Sequence, residues 1–219
     1  MDTSGTLAQC IDHTILRADL TKHEIFEHCQ GAIKYRFKTV CLPAYFVKYA
    51  KELTADSQTN VCSVVGFPMG YGGISSKMEE TKTLLDHDCD EVDFVINIAA
   101  VKNGDWKAID DEFDRLVTII HMKNKIAKAI LETCLLTEKE IETLCNKAID
   151  HSVDFVKTST GFSKKGAELD IVKFIKKTVT NKALIKASGG IKTKAQAKNF
   201  LKAGAHRLGT SSGIKIITG

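Results

Sequence analysis

The stretch Val153-Asp154-Phe155-Val156-Lys157-Thr158-Ser159-Thr160-Gly161 decides how this chain reads. A short apolar run, bounded by a turn-forming loop, has the length of a buried strand and ends in a lysine. The pattern recurs in Ala183-Leu184-Ile185-Lys186-Ala187-Ser188-Gly189-Gly190. A lysine at the end of a buried strand is costly unless chemistry uses it. Two of them, both opening glycine-bearing loops, suit an amine nucleophile next to an anion site.

Working outward, short β-branched runs alternate with longer segments of helical period, the pattern of parallel βαβ units. Eight strands are predicted near Gln9–Thr14, Thr39–Leu42, Asn60–Val65, Glu91–Ile96, Ile126–Leu131, Asp154–Lys157, Leu184–Ala187 and His206–Gly209. Capping boxes at Thr21/Glu24, Ser76/Glu79, Thr137/Glu140 and Thr193/Gln196 start helices after strands. Ile109, Phe113, Leu116, Val117 and Ile120 mark one apolar helix face, as do Ile141, Leu144, Cys145 and Ala148. No linker or low-complexity break divides the chain. The expectation is an α/β fold, a single-domain (β/α)8 TIM barrel over residues 1–219, with its active site at the carboxyl ends of the strands. A doubly wound open sheet is the alternative, disfavoured because no GxGxxG follows the first strand.

With 43% hydrophobic and 26% charged residues the chain can bury a sizeable core. Its net charge of +4 comes from dispersed lysines, with no basic run interleaved with aromatics, which argues against a nucleic-acid partner. The seven cysteines are odd in number and form no CxxC, as in a reducing compartment. Met1-Asp2-Thr3-Ser4-Gly5-Thr6 lacks a leader pattern, and no apolar stretch approaches the roughly 18 residues of a membrane span. A cytoplasmic protein without a membrane partner is expected. The exposed helix faces show no decisive apolar patch, and a homodimer is the assembly to test.

Period-two alternation sets which side chains face inward. In Glu91-Val92-Asp93-Phe94-Val95-Ile96-Asn97, packing of Val92, Phe94 and Ile96 against helices turns Asp93, Val95 and Asn97 to the barrel interior. Lys128, Ile130 and Glu132 share a face in the fifth strand, Phe155 and Lys157 in the sixth, Leu184 and Lys186 in the seventh. The interior is therefore expected to hold Asp93, Lys128, Lys157 and Lys186. As strand-end lysines reaching solvent each has a bland explanation. As a set they do not, because unpaired buried charge costs several kcal/mol.

A lysine near its free pKa of about 10.4 is protonated at neutral pH and cannot attack a carbonyl. A second ammonium about 5 Å away, at an effective dielectric near 20, adds roughly 3 kcal/mol of repulsion, about two pKa units. One lysine then serves as nucleophile and the other as the perturbing charge. Gly161, Gly189-Gly190 and Gly209-Thr210-Ser211-Ser212-Gly213 follow strands six, seven and eight, and the loops after strands seven and eight are the usual phosphate cradle of this fold. The histidines show no metal-ligand spacing; His13 reads as structural and Cys41 as a small buried hydrophobe.

These motifs resemble the deoxyribose-phosphate aldolase family of class I aldolases. The resemblance runs from Ile11-Asp12-His13-Thr14 through Val65-Gly66-Phe67-Pro68, Asp90-Glu91-Val92-Asp93, Lys128-Ala129-Ile130-Leu131-Glu132-Thr133, Lys157-Thr158-Ser159-Thr160-Gly161-Phe162 and Lys186-Ala187-Ser188-Gly189-Gly190 to Arg207-Leu208-Gly209-Thr210-Ser211. It implies reversible cleavage of 2-deoxy-D-ribose 5-phosphate to glyceraldehyde 3-phosphate and acetaldehyde, in deoxyribose phosphate catabolism, with small sugar phosphates and aldehydes as partners and without metal or organic cofactor. It implies that Lys157 forms the Schiff base, Lys186 lowers its pKa and Asp93 relays protons. It places phosphate near Gly161, Gly189, Gly190, Gly209, Ser211 and Ser212, with Asp12, Thr14 and Lys128 around the substrate hydroxyls and the catalytic pair. Phe162 departs from members with lysine after the KTSTG glycine, and Ile217-Thr218-Gly219 lacks the terminal tyrosine of others. A phosphosugar isomerase using Asp93 and Asp12, and a non-catalytic sugar-phosphate binding barrel, are the competing readings.

Overall fold

The computed structural model describes residues 7–219, so the expectation for Met1–Thr6 lies outside the described residues. Eight parallel strands close into a barrel in sequence order, β8 pairing with β1. They are β1 (Ile11–Thr14), β2 (Thr39–Cys41), β3 (Asn60–Val65), β4 (Glu91–Val95), β5 (Ile126–Ile130), β6 (Phe155–Lys157), β7 (Leu184–Ser188) and β8 (Arg207–Thr210). Each falls on its expected run, and closure rules out the open doubly wound sheet. The helices are α1 (Lys22–Lys34), α2 (Val47–Thr54), α3 (Ile74–Asp86), α4 (Ile98–Lys102), α5 (Trp106–Met122), α6 (Glu138–Asp150), α7 (Leu169–Val179), α8 (Lys194–Ala203) and α9 (Gly213–Thr218). Among the described residues, no helix is long and apolar enough to cross a membrane. None of the seven cysteines is in a disulfide.

Thr21, Thr137 and Thr193 make both bonds of their capping boxes. Ser76 does not. The N-cap of helix α3 is Gly73, three residues earlier, so Ser76 lies within the helix. The core is the layer between barrel and helices. Val92, Phe94 and Ile96 enter it as alternation requires, and the Phe94 and Phe113 rings meet edge to face at 5.8 Å. Filling this layer with fully buried aliphatic and aromatic side chains, each worth about 1.5–3 kcal/mol, fixes the outward set of every strand and so the inward set too.

Asn97 departs from its expected inward direction. The strand stops at Val95, and the Asn97 side chain caps α4 by accepting the Ala100 N–H at 3.1 Å. This turn is held from behind. Lys77 of α3, fully buried, donates to the Val95 carbonyl at 2.6 Å and pairs with Glu112 of α5, whose other oxygen accepts the Asn97 N–H at 2.9 Å. Burial pushes the Lys77 amine down and the Glu112 carboxyl up, so the pair stays charged only because each faces the other. Removing one partner leaves an uncompensated buried charge. Lys77→Met is expected to lower unfolding stability by about 3–5 kcal/mol in denaturant titration, and Lys77→Met/Glu112→Leu to regain most of it.

Candidate active site

Three lysines from three strands converge on one carboxylate. Lys128 Nζ lies 2.7 Å from Asp93 Oδ1, Lys157 Nζ 2.8 Å from Oδ2, and Lys186 Nζ 2.7 Å from the same Oδ2. Strand register brings them there, since Asp93 is level with Lys128 and Lys157 with Lys186. The expected interior set is thus assembled. Beneath it, Lys186 pairs with Asp12 at 2.5 Å and Lys128 with Glu91 at 2.6 Å. Arg207 of β8 joins Asp12 through its Nε at 2.7 Å and Glu91 at 3.0 Å.

These seven side chains are all buried, four cationic and three anionic. Lys128, Lys186 and Arg207 each contact at least two carboxylates; among the described residues Lys157 contacts only Asp93. Burial opposes the charge on Lys186, but Asp12 and Asp93 outweigh it and push the amine up. Burial likewise opposes the charge on Lys128, and Asp93 and Glu91 push it well up. Burial acts against the Asp93 carboxylate too, yet Lys128, Lys157 and Lys186 hold it well below the usual range. Because Asp93 stands between Lys157 and Lys186, bare repulsion between two ammonium groups does not describe the pair. Over the whole cluster, Lys157 included, the four cations exceed the three carboxylates by one.

Above Lys157 opens a cavity of about 310 Å³ between the loops after β1, β6, β7 and β8. Its lining includes Thr14, Gly161, Gly189, Gly190, Gly209 and Ser211 among the expected residues. Gly189 has φ +87°, and a side-chain carbon there would meet Gly166 Cα at 2.8 Å, so only glycine lets the two loops touch. Arg17 and Lys192 stand at the rim. Arg17 is tied to Asp19 at 2.6 Å and to Glu24. Lys192 makes no ion pair among the described residues.

Cys41 Sγ, Cys62 Sγ and an Asp93 oxygen lie within 4.8 Å of one another, a spacing that could suit a metal ion. The Lys128 ammonium, 3.3 Å from Cys62 Sγ, already supplies the positive charge at that point.

The family model described as "DeoC/LacD family aldolase" matches residues 6–218. The barrel with its buried lysines is accordingly an aldolase, a lyase by reaction class. The chain is 43% identical to the deoxyribose-phosphate aldolase of Finegoldia magna over 97% of this chain and 99% of that protein. It is 42% identical to that of Carboxydothermus hydrogenoformans over 100% and 97%. Among solved structures, the tetrameric deoxyribose phosphate aldolase of Aeropyrum pernix superposes with a TM-score of 0.92 at 28% identity, covering 99% of this chain and 92% of that one. The chain belongs to the DeoC/LacD aldolase family.

Two expected positions, Ser212 and Glu132, are corrected. Asp12 and Lys128, expected around the substrate hydroxyls and the catalytic pair, are fully buried in the ion cluster against Lys186 and Asp93 and do not line the cavity. Ser212 lies outside the cavity, its N–H turned back to Thr210 Oγ1 at 2.9 Å. Glu132, expected on the inward face, leaves it because its backbone is left-handed at φ +57°; its carboxylate accepts the Thr160 hydroxyl instead. Glu91 and Arg207 were not anticipated as site residues, although alternation from Asp93 and Gly209 turns both inward.

Next to Asp12, His13 faces outward and stacks on His28 with ring centroids 3.9 Å apart. Burial pushes His13 down to about 3 and His28 down to about 4. Both are neutral in the fold, whereas the unfolded chain protonates them below about pH 6.5. Stability from the pair is therefore complete above pH 6.5 and falls as pH drops toward 4, by about 1.4 kcal/mol per pH unit for each histidine. Replacing both with Gln should flatten that part of the stability–pH curve, read by denaturant titration from pH 4 to 7.5.

Proposed function

We propose that the protein cleaves 2-deoxy-D-ribose 5-phosphate reversibly to D-glyceraldehyde 3-phosphate and acetaldehyde through a Schiff base on Lys157, within one domain spanning residues 1–219. The observation that carries this is the position of Lys157: it alone among the four cations of the cluster has a single carboxylate partner among the described residues and borders the cavity. A nucleophilic amine must be unprotonated. Loss of one proton from Lys157 would bring the cluster to three cations and three anions, while the other three cations are doubly held.

Attack of the Lys157 amine on C1 of the open-chain sugar gives a carbinolamine, and loss of water gives a protonated imine. Removal of the C3 hydroxyl proton breaks the C2–C3 bond; the electron pair moves into the imine, leaving an enamine and releasing glyceraldehyde 3-phosphate. Protonation of the enamine carbon and hydrolysis release acetaldehyde and restore the amine. Asp93, kept ionised by its lysines, accepts and returns these protons through water. Lys186 stays a cation beside the nucleophile.

In this reading the phosphate rests on backbone N–H groups of Gly161, Gly189, Gly190, Gly209 and Ser211. Phe162 offers no charge there, so Lys192 supplies it. The sequence identity to deoxyribose-phosphate aldolases over nearly the full chain supports the substrate.

Borohydride reduction in the presence of acetaldehyde is expected to leave a two-carbon adduct on Lys157, mapped by peptide mass spectrometry; an unmodified protein sinks the Schiff-base reading and favours the isomerase or binding-barrel alternatives. Lys157→Ala should abolish turnover. Lys186→Leu should cut it severely and change the pH dependence of imine formation. Lys192→Met is expected to raise KM for the phosphorylated sugar about fivefold to tenfold, the loss of one charge-assisted contact, and to leave KM for unphosphorylated deoxyribose unchanged.

A further inference from the structure

We propose that Arg207 and Glu91, which touch neither the cavity nor Lys157, act as positioning residues that set the pH at which Lys157 forms its imine, by fixing the charge of the buried cluster. The inference rests on the Schiff-base reading of Lys157. Its basis is the ion count. Arg207, Lys128, Lys157 and Lys186 face Asp12, Glu91 and Asp93, all shielded from water, so the cluster carries one excess positive charge.

The titratable groups turned into the barrel around Lys157 come from each of the other strands, with Asp93 in direct contact. They are Asp12 of β1, Cys41 of β2, Cys62 of β3, Glu91 and Asp93 of β4, Lys128 of β5, Lys186 of β7 and Arg207 of β8. Burial and the hydrogen bond to Cys41 push the Cys62 thiol well up, so it adds no charge. Glu132 bonds to Thr160 and makes no ion pair with the cluster among the described residues. Arg207 sits level with Lys186 on the neighbouring strand, and Glu91 lies two residues before Asp93 on β4. Both charges therefore reach Lys157 through protein rather than water, where screening is weak. A guanidinium cannot lose its proton, so the charge of Arg207 is permanent.

The consequence is a pair of opposite effects. Removing Arg207's charge leaves three cations against three carboxylates, and Lys157 then keeps its proton to higher pH. Removing Glu91's charge leaves four against two, and Lys157 gives its proton up at lower pH. A unit charge about 10 Å away at an effective dielectric near 20 moves such an equilibrium by about one pH unit. Losing both charges restores the excess of one.

The test measures the rate of borohydride-trapped acetaldehyde adduct against pH, with the adduct mapped by peptide mass spectrometry. Arg207→Met should raise the midpoint by about one pH unit, Glu91→Gln should lower it by about one, and Glu91→Gln/Arg207→Met should return it to the wild-type value. Arg207→Lys should leave it in place, which separates charge from packing, and Cys41→Ser should as well. Midpoints that stay fixed, or that move in the same direction for Arg207→Met and Glu91→Gln, overturn the inference. So does a downward shift in Cys41→Ser, because a Cys41 thiolate would then be balancing the charge. If Arg207→Met fails to fold, Glu91→Gln and the double variant decide. An adduct mapped away from Lys157 overturns the Schiff-base reading itself, whereas an adduct on Lys157 with unmoved midpoints overturns this inference alone.

Discussion

Everything in the centre of this barrel depends on one carboxylate shared by three ammonium groups. Asp93 has two oxygens; Lys128 takes one, and Lys157 and Lys186 share the other. An isolated charge could not survive at that depth. The surrounding ions therefore form a lattice in which each member is solvated by its opposites, and the only member with a single partner is the one at the cavity floor. Reactivity and burial are two aspects of the same arrangement, because the residue least well compensated is also the one with something to gain from losing its charge.

The outer layers serve this centre. The apolar shell between strands and helices fixes which residues face inward, and the Lys77–Glu112 pair holds the end of β4 from behind through the Val95 carbonyl and the Asn97 N–H. A buried ion pair is a weak source of stability compared with a hydrophobic replacement. Its use here is geometric: it fixes the end of the strand that carries Asp93.

The strands and three of the four capping boxes were legible because alternation and capping are local, readable within ten residues. So were the inward directions of Asp93, Lys128, Lys157 and Lys186. What the sequence did not reveal is which inward residues meet across the barrel. Arg207 and Glu91 were equally inward by alternation, but nothing local says that residues 116 positions apart share an ion pair. The same gap left Asp12 and Lys128 divided between the substrate and the lysine pair, until their partners are seen to hold them against Lys186 and Asp93, away from the cavity lining. Glu132 escaped for a different reason: a left-handed backbone at a non-glycine residue breaks alternation, and no side-chain pattern announces it.

The contact between Gly166 and Gly189 has a kinetic meaning. The loop after β6 is fastened to the loop after β7, with Ala167 N–H donating to the Gly189 carbonyl at 3.1 Å, so the two walls of the cradle form one body. A ligand entering between such walls would have little chain to order. If a sugar phosphate binds there as proposed, its capture would require no closing movement of these two walls, and its dwell time would be governed by how quickly its bonds to a standing framework break.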